Sequence, residues 1–76
     1  MSEVAVETID VEVTGIVRLG QFLKLAGAVD SGGEAREVLQ AGEVTVNEEP
    51  EDRRGRQLSD GDVVALGQGS WRVLVN

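Results

Sequence analysis

The 76-residue chain contains no cysteine and no histidine. Without cysteine it has no disulfide and no thiolate ligand for a metal, and without histidine it has no imidazole to act as a ligand or as a base near neutral pH. Its stability must therefore come from one small apolar core. We expect no enzyme, and the sequence predicts no catalytic residue, no metal site and no cofactor.

Aromatic residues are scarce, because Phe22 and Trp71 are the only two. Both are expected in the core, so there is no stacking platform for single-stranded bases. No apolar run approaches the roughly 18 to 20 residues that span a bilayer. We therefore predict no membrane partner and expect a soluble, cytoplasmic protein.

Positive charge is outnumbered, since seven Lys and Arg residues accompany fourteen Asp and Glu residues and the net charge is −7. This balance opposes general nucleic-acid binding, because clustered cations are needed to neutralise phosphates. The charges are unevenly distributed along the chain, which weakens this argument against nucleic-acid binding. Residues 1–13 contain four acids and no cation, so all seven cations lie in residues 14–76. A local basic patch on an acidic protein is compatible with this pattern.

Two helices are predicted, near residues 18–26 and 33–41, by apolar side chains that recur every three or four positions. Strands are predicted at the edge of a sheet within residues 1–13, after a loose start, and at residues 43–47, 63–66 and 71–75. The fold class that follows is α+β, a single small domain with two packed helices against a small, mostly antiparallel sheet. We divide it into an acidic N-terminal strand or extension, 1–15, and the domain proper with its C-terminal strands, 16–76. The side chains predicted to be buried are Leu23, Val38, Leu39, Val44 and Val46.

The turn at residues 30–36 is the stretch that most favours binding. Ser31 and Glu34 have the spacing of a capping box, in which the Ser oxygen accepts from an amide and the Glu carboxylate reaches back. Gly32 and Gly33 leave the first amides of the helix unscreened, and such an N-terminus suits a phosphate. Capping boxes also begin many helices that bind nothing.

Cations near this turn strengthen the binding interpretation. Lys24 and Arg36 lie on outer helix faces on either side of it, and Arg18 starts the first helix. The densest cationic group, Arg53, Arg54 and Arg56, lies in a polar segment that we expect to be an exposed arm of a hairpin. The alternative interpretation is a solvated loop whose charges balance the acids at 48, 49, 51 and 52.

The order of these motifs resembles the alpha-L RNA-binding domain of ribosomal small-subunit protein four, and more narrowly its small stand-alone bacterial branch, the YaaA-like and YbcJ-like proteins. The motifs are LGQFLKLA (19–26), DSGGEAR (30–36), GEVTVN (42–47), RRGR (53–56) and GDVV (61–64). One departure is Glu48, since the family usually has Gly after the strand-ending Asn. The resemblance implies RNA contacts by Lys24, Ser31, Gly32, Gly33, Arg36, Arg53, Arg54 and Arg56, with Arg18 as a weaker candidate.

Two functions stay open at this point. The first is a non-catalytic module that recognises structured RNA, ribosomal RNA or a transfer RNA, through backbone phosphates and shape, with the ribosome or a translation-associated protein as a further partner. The second is an acidic protein-interaction adaptor that keeps the fold and has little RNA affinity. The net charge favours the second, and the motifs favour the first.

Overall fold

A computed structural model describes residues 7–76, and both predicted helices are present in it. The helices span Leu19–Leu25 (α1) and Gly32–Gln40 (α2), so that each end lies within one residue of its predicted position. The strands are Thr8–Val13 (β1), Val17–Arg18 (β2), Val44–Val46 (β3), Glu49–Pro50 (β4), Gln57–Leu58 (β5), Val63–Leu66 (β6) and Gly69–Val75 (β7). The loose start predicted for the first residues lies outside the described residues. No helix within residues 7–76 is long and apolar enough to cross a membrane.

Five of the strands form one sheet in the order β1-β7-β6-β3-β4. β1 is an edge strand, as predicted, and it runs parallel to β7, whereas the other pairs in this sheet are antiparallel. β2 and β5 form a separate antiparallel pair beside the start of α1. The strands β2, β4 and β5 were not predicted, because two residues are too few to show a period. The predicted α+β class with a mostly antiparallel sheet is confirmed.

The core lies between the two helices and one face of the sheet. The residues predicted there with at most 1% of their surface exposed are Leu23, Leu39, Val44 and Val46. The predicted register of β3 is therefore correct, since a slip of one residue would turn both valines outward. Val38 was also predicted to be buried, but it is half-buried against the core.

The turn between β3 and β4 keeps a conformation that favours glycine although it contains none. Asn47 has φ 53° and Glu48 has φ 73°, the positive pair expected of a type I′ hairpin turn. Asn47 tolerates this region and is held there, because its side chain accepts from Val63 N at 3.0 Å and donates to Asp62 at 3.0 Å. Glu48 takes the place of the usual Gly at a cost of roughly 1–2 kcal/mol.

Candidate nucleic-acid interface

The N-terminus of α2 forms the predicted capping box. Ser31 Oγ accepts a hydrogen bond from Glu34 N at 3.1 Å, and Glu34 Oε1 accepts from Asp30 N at 2.7 Å. The carboxylate thus reaches the residue before the cap instead of the cap itself. The two hydrogen bonds fix the path of the chain into the helix. The second one also holds the Glu34 side chain against the loop that precedes α2.

The amides of Gly32 and Gly33 stay accessible at this terminus. Both residues are exposed, and no acceptor for either N–H is found among residues 7–76. No atom outside the local chain lies within 4 Å of a Cβ built on Gly32, and the nearest to one on Gly33 is Ser31 Oγ at 3.8 Å. Arg36 is exposed and follows Gly32 by four positions, so it lies on the same face one turn along α2. This end of α2 offers two open donors with a cation beside them.

Residues 51–56, which we call the arginine loop, are organised by a buried carboxylate. Only 8% of Glu51 is exposed, and its oxygens accept from Arg53 N and Nε at 3.0 Å, from Arg53 Nη2 at 3.1 Å and from Arg56 Nη1 at 3.0 Å. The hydrogen bonds from the Arg53 side chain and backbone, with a smaller one from Arg56, lower the pKa of Glu51 to about 2 against the opposing effect of burial. The segment was predicted to be exposed throughout, but Glu51 is buried and Arg56 is half-buried.

The arginine loop is also bonded to the start of α1. Leu19 N donates to the carbonyl oxygen of Arg56 at 2.8 Å, and Gly20 N donates to that of Arg54 at 2.9 Å. Arg18 Nη1 donates to the carbonyl oxygen of Gly55 at 2.8 Å. Arg18 is the N-cap residue of α1 and its side chain does not cap the helix, so loop carbonyls satisfy the first amides instead. Unlike those of α2, these amides are not free to bind a ligand.

The three arginines of the loop are not equivalent. Arg53 and Arg56 are paired with Glu51, whereas no ion pair or side-chain hydrogen bond of Arg54 is found in the part of the chain that the structure describes. The stem of Arg54 lies across Gly20, and Lys24 is exposed one turn further along the same face of α1. Arg54 is the loop arginine whose charge is unshared.

The predicted site residues form two groups. One, on α1 and the arginine loop, comprises Lys24, Arg53, Arg54 and Arg56. The other, at the start of α2, comprises Ser31, Gly32, Gly33 and Arg36. The two helices that carry these groups pack against each other, and residues 26–31 connect them.

Two features of this interface were missed from the sequence. The pairing of Glu51 with arginines two and five positions later has no periodic signal, since it depends on how a loop folds. Gly20 did leave a signal, because an isolated glycine within a helical pattern often marks a close packing contact.

Comparison with known proteins adds two findings. A family model described as the S4 domain matches residues 9–74. A probable ribosome maturation protein, RlbA, from Bacillus subtilis (strain 168) is 53% identical over 62 residues, which make up 80% of this chain and 87% of that protein.

Proposed function

Because the chain belongs to the S4 domain family, we propose that it is a non-catalytic module that binds structured RNA, either ribosomal RNA or a transfer RNA. The family is an RNA-binding one, and the assignment agrees with the motifs at 19–26 and 30–36. The observation that supports the proposal most is the pair of open amides at Gly32 and Gly33 with Arg36 beside them. Backbone donors and a cation together suit a phosphate.

The mode of recognition that we propose is contact with backbone phosphates and shape. The contacts are assigned to Lys24, Ser31, Gly32, Gly33, Arg36, Arg53, Arg54 and Arg56. Base stacking has no part in it, because Phe22 is buried and Trp71 is half-buried against the core. Binding of this kind depends on the fold of the RNA more than on its sequence.

The similarity to a probable ribosome maturation protein narrows the proposed partner. We propose that the RNA is ribosomal RNA during assembly of the ribosome, and that the protein acts in the cytoplasm, with a ribosomal or translation-associated protein as a further partner. Such a role needs reversible binding, and the acidic surface outside the interface favours release by limiting the total attraction to RNA.

The adaptor is the second candidate, and the net charge of −7 is the observation that favours it. Acidic proteins with one small cationic area bind RNA weakly unless the area is well formed. The pairing of Arg53 and Arg56 with Glu51 reduces the charge available to phosphates still further. On this hypothesis the chain keeps the S4 fold but binds a protein partner instead of RNA.

A salt titration separates the two candidates. Binding of a structured ribosomal RNA fragment should weaken steeply with salt, and Arg53→Ala/Arg54→Ala should flatten the slope of log K against log salt by about one unit per lost phosphate contact. Arg72→Ala is the control, because Arg72 pairs with Asp10 across β1 and β7 and its loss removes one positive charge that is not among the proposed contacts. The slope of that control should be unchanged.

The outcome that contradicts the RNA proposal is a slope that is the same for the wild type and the double variant. The double variant removes two positive charges and Arg72→Ala removes one. A loss of affinity for Arg72→Ala at least half as large as that for the double variant would also contradict the proposal, since net charge alone would then explain the binding. Either result favours the adaptor.

A further inference from the structure

Gly20 lies in the first turn of α1 and is buried, although Lys24, one turn further along the same face, is exposed. The residue that covers it is Arg54: a Cβ built on Gly20 would overlap Arg54 Cγ, lie 3.0 Å from Cδ and lie 3.4 Å from the Arg54 carbonyl oxygen. The same carbonyl accepts from Gly20 N at 2.9 Å. Backbone and side chain of Arg54 therefore both rest on this one glycine.

We propose that Gly20 is a positioning residue for RNA binding, which holds the Arg54 guanidinium on the exposed face of α1 beside Lys24. The inference rests on the proposed function and deepens it, because it makes Arg54 the principal phosphate-binding residue of the loop. Any larger side chain at position 20 must displace the Arg54 stem at Cγ, close to the backbone, where the chain has little freedom to yield.

The other loop arginines do not share this arrangement. Arg53 and Arg56 are oriented by the Glu51 carboxylate, and the three atoms nearest to a Cβ at position 20 all belong to Arg54. A phosphate that approaches them competes with Glu51, whereas one that approaches Arg54 meets an unshared charge. The proposed effect of Gly20 on RNA binding is therefore exerted through Arg54. A double-mutant cycle can measure the coupling of these two residues separately from the contributions of Arg53 and Arg56.

The experiment is that cycle, built from Gly20→Ala, Arg54→Ala and the double variant, with RNA affinity, its salt slope and the urea midpoint measured for each. Gly20→Ala should lower affinity about tenfold, as expected for loss of a hydrogen bond to a charged group, and should reduce the salt slope by about one. In the Arg54→Ala background Gly20→Ala should cost no affinity. It should raise the urea midpoint there, because Ala favours a helix over Gly.

The control is Gly20→Ala in an Arg53→Ala background, where the losses should add. An equal loss from Gly20→Ala with and without Arg54 would overturn the inference, since it would then act on the fold and not through Arg54. If the wild type binds no RNA, the proposed function fails and the RNA-binding role of Gly20 fails with it. The packing of Arg54 on Gly20 would still make the effects of Gly20→Ala and Arg54→Ala on the urea midpoint non-additive. Additive effects in the double variant would overturn that packing contact, whether or not the protein binds RNA.

Discussion

Two of the three arginines in the loop, Arg53 and Arg56, pair with the carboxylate of Glu51. Among the described residues, Arg54 has no ion-pair partner. Glu51 is largely removed from water, with 8% of its surface exposed, and four hydrogen bonds compensate for that burial. A buried charge is tolerated only when it is paired in this way. One residue therefore both shapes the loop and sets how much positive charge it presents.

Glu51→Gln gives a pH-dependent test of this pairing. The pKa of Glu51 is about 2 in the folded protein against an ordinary value of 4.5, so the ionised form stabilises the fold above about pH 4.5 and this contribution is lost as the pH falls towards 2. We expect the variant to be less stable than the wild type near neutral pH and the difference to shrink across that interval, measured by urea unfolding.

The control for this measurement is the same substitution in an Arg53→Ala/Arg56→Ala background. With the side-chain partners removed, the pH-dependent part of the difference should become smaller. A difference between wild type and Glu51→Gln that is constant from about pH 2 to about pH 7 would show that the ion pairs do not contribute to folding.

Among the secondary-structure elements, α2 carries one of the two groups of proposed contacts. Its first turn has glycines at two positions, which weakens a nine-residue helix, while the capping box compensates for part of that loss. The two glycines keep the amides open, and Ser31 and Glu34 keep the helix start in place.

Ser31→Ala tests that compensation. Loss of the hydrogen bond to Glu34 N should lower the free energy of unfolding by about 1 kcal/mol, whereas Ser31→Gly should cost only a few tenths. Urea unfolding of the two variants measures the difference, and the glycine variant serves as the control for side-chain removal. A free energy of unfolding for Ser31→Ala equal to that of the wild type would contradict a capping role for the hydroxyl.

The elements also show what the sequence predicts well. Both helices and β3 have a clear apolar period, and the positions of Leu23, Leu39, Val44 and Val46 follow from it. The capping box follows from the spacing of Ser31 and Glu34 alone. Local patterns were sufficient because each of these features is determined within a few residues.

The contacts within the arginine loop were not predicted from the sequence. One group of three exposed arginines was predicted, but in the structure Arg53 and Arg56 pair with Glu51 and Arg54 packs on Gly20. That division depends on the loop packing against α1, which lies far earlier in the chain, and on hydrogen bonds from Leu19 and Gly20 to loop carbonyls. Tertiary contacts of this kind have no periodic signal in the sequence.

The molecule as a whole has a net charge of −7, although the arginine loop contains three of its seven cations. Exposed charges farther apart than about 8 to 10 Å are largely screened at ordinary salt. The acids of β1, such as Asp10 and Glu12, lie on the sheet, whereas the proposed contacts lie on the helices and the arginine loop. In the proposed complex, the acids on β1 would therefore oppose RNA binding mainly at low salt and at long range.

We propose that structured RNA binds at the start of α2 and at the arginine loop. An NMR titration of the ¹⁵N-labelled protein with a structured ribosomal RNA fragment tests this binding site. We predict the largest amide shift changes at Gly32, Gly33 and residues 53–56, with small changes along β1 and β7. Changes concentrated on the β1–β7 edge, or no changes at RNA concentrations that saturate a known binder of the same fragment, would contradict it.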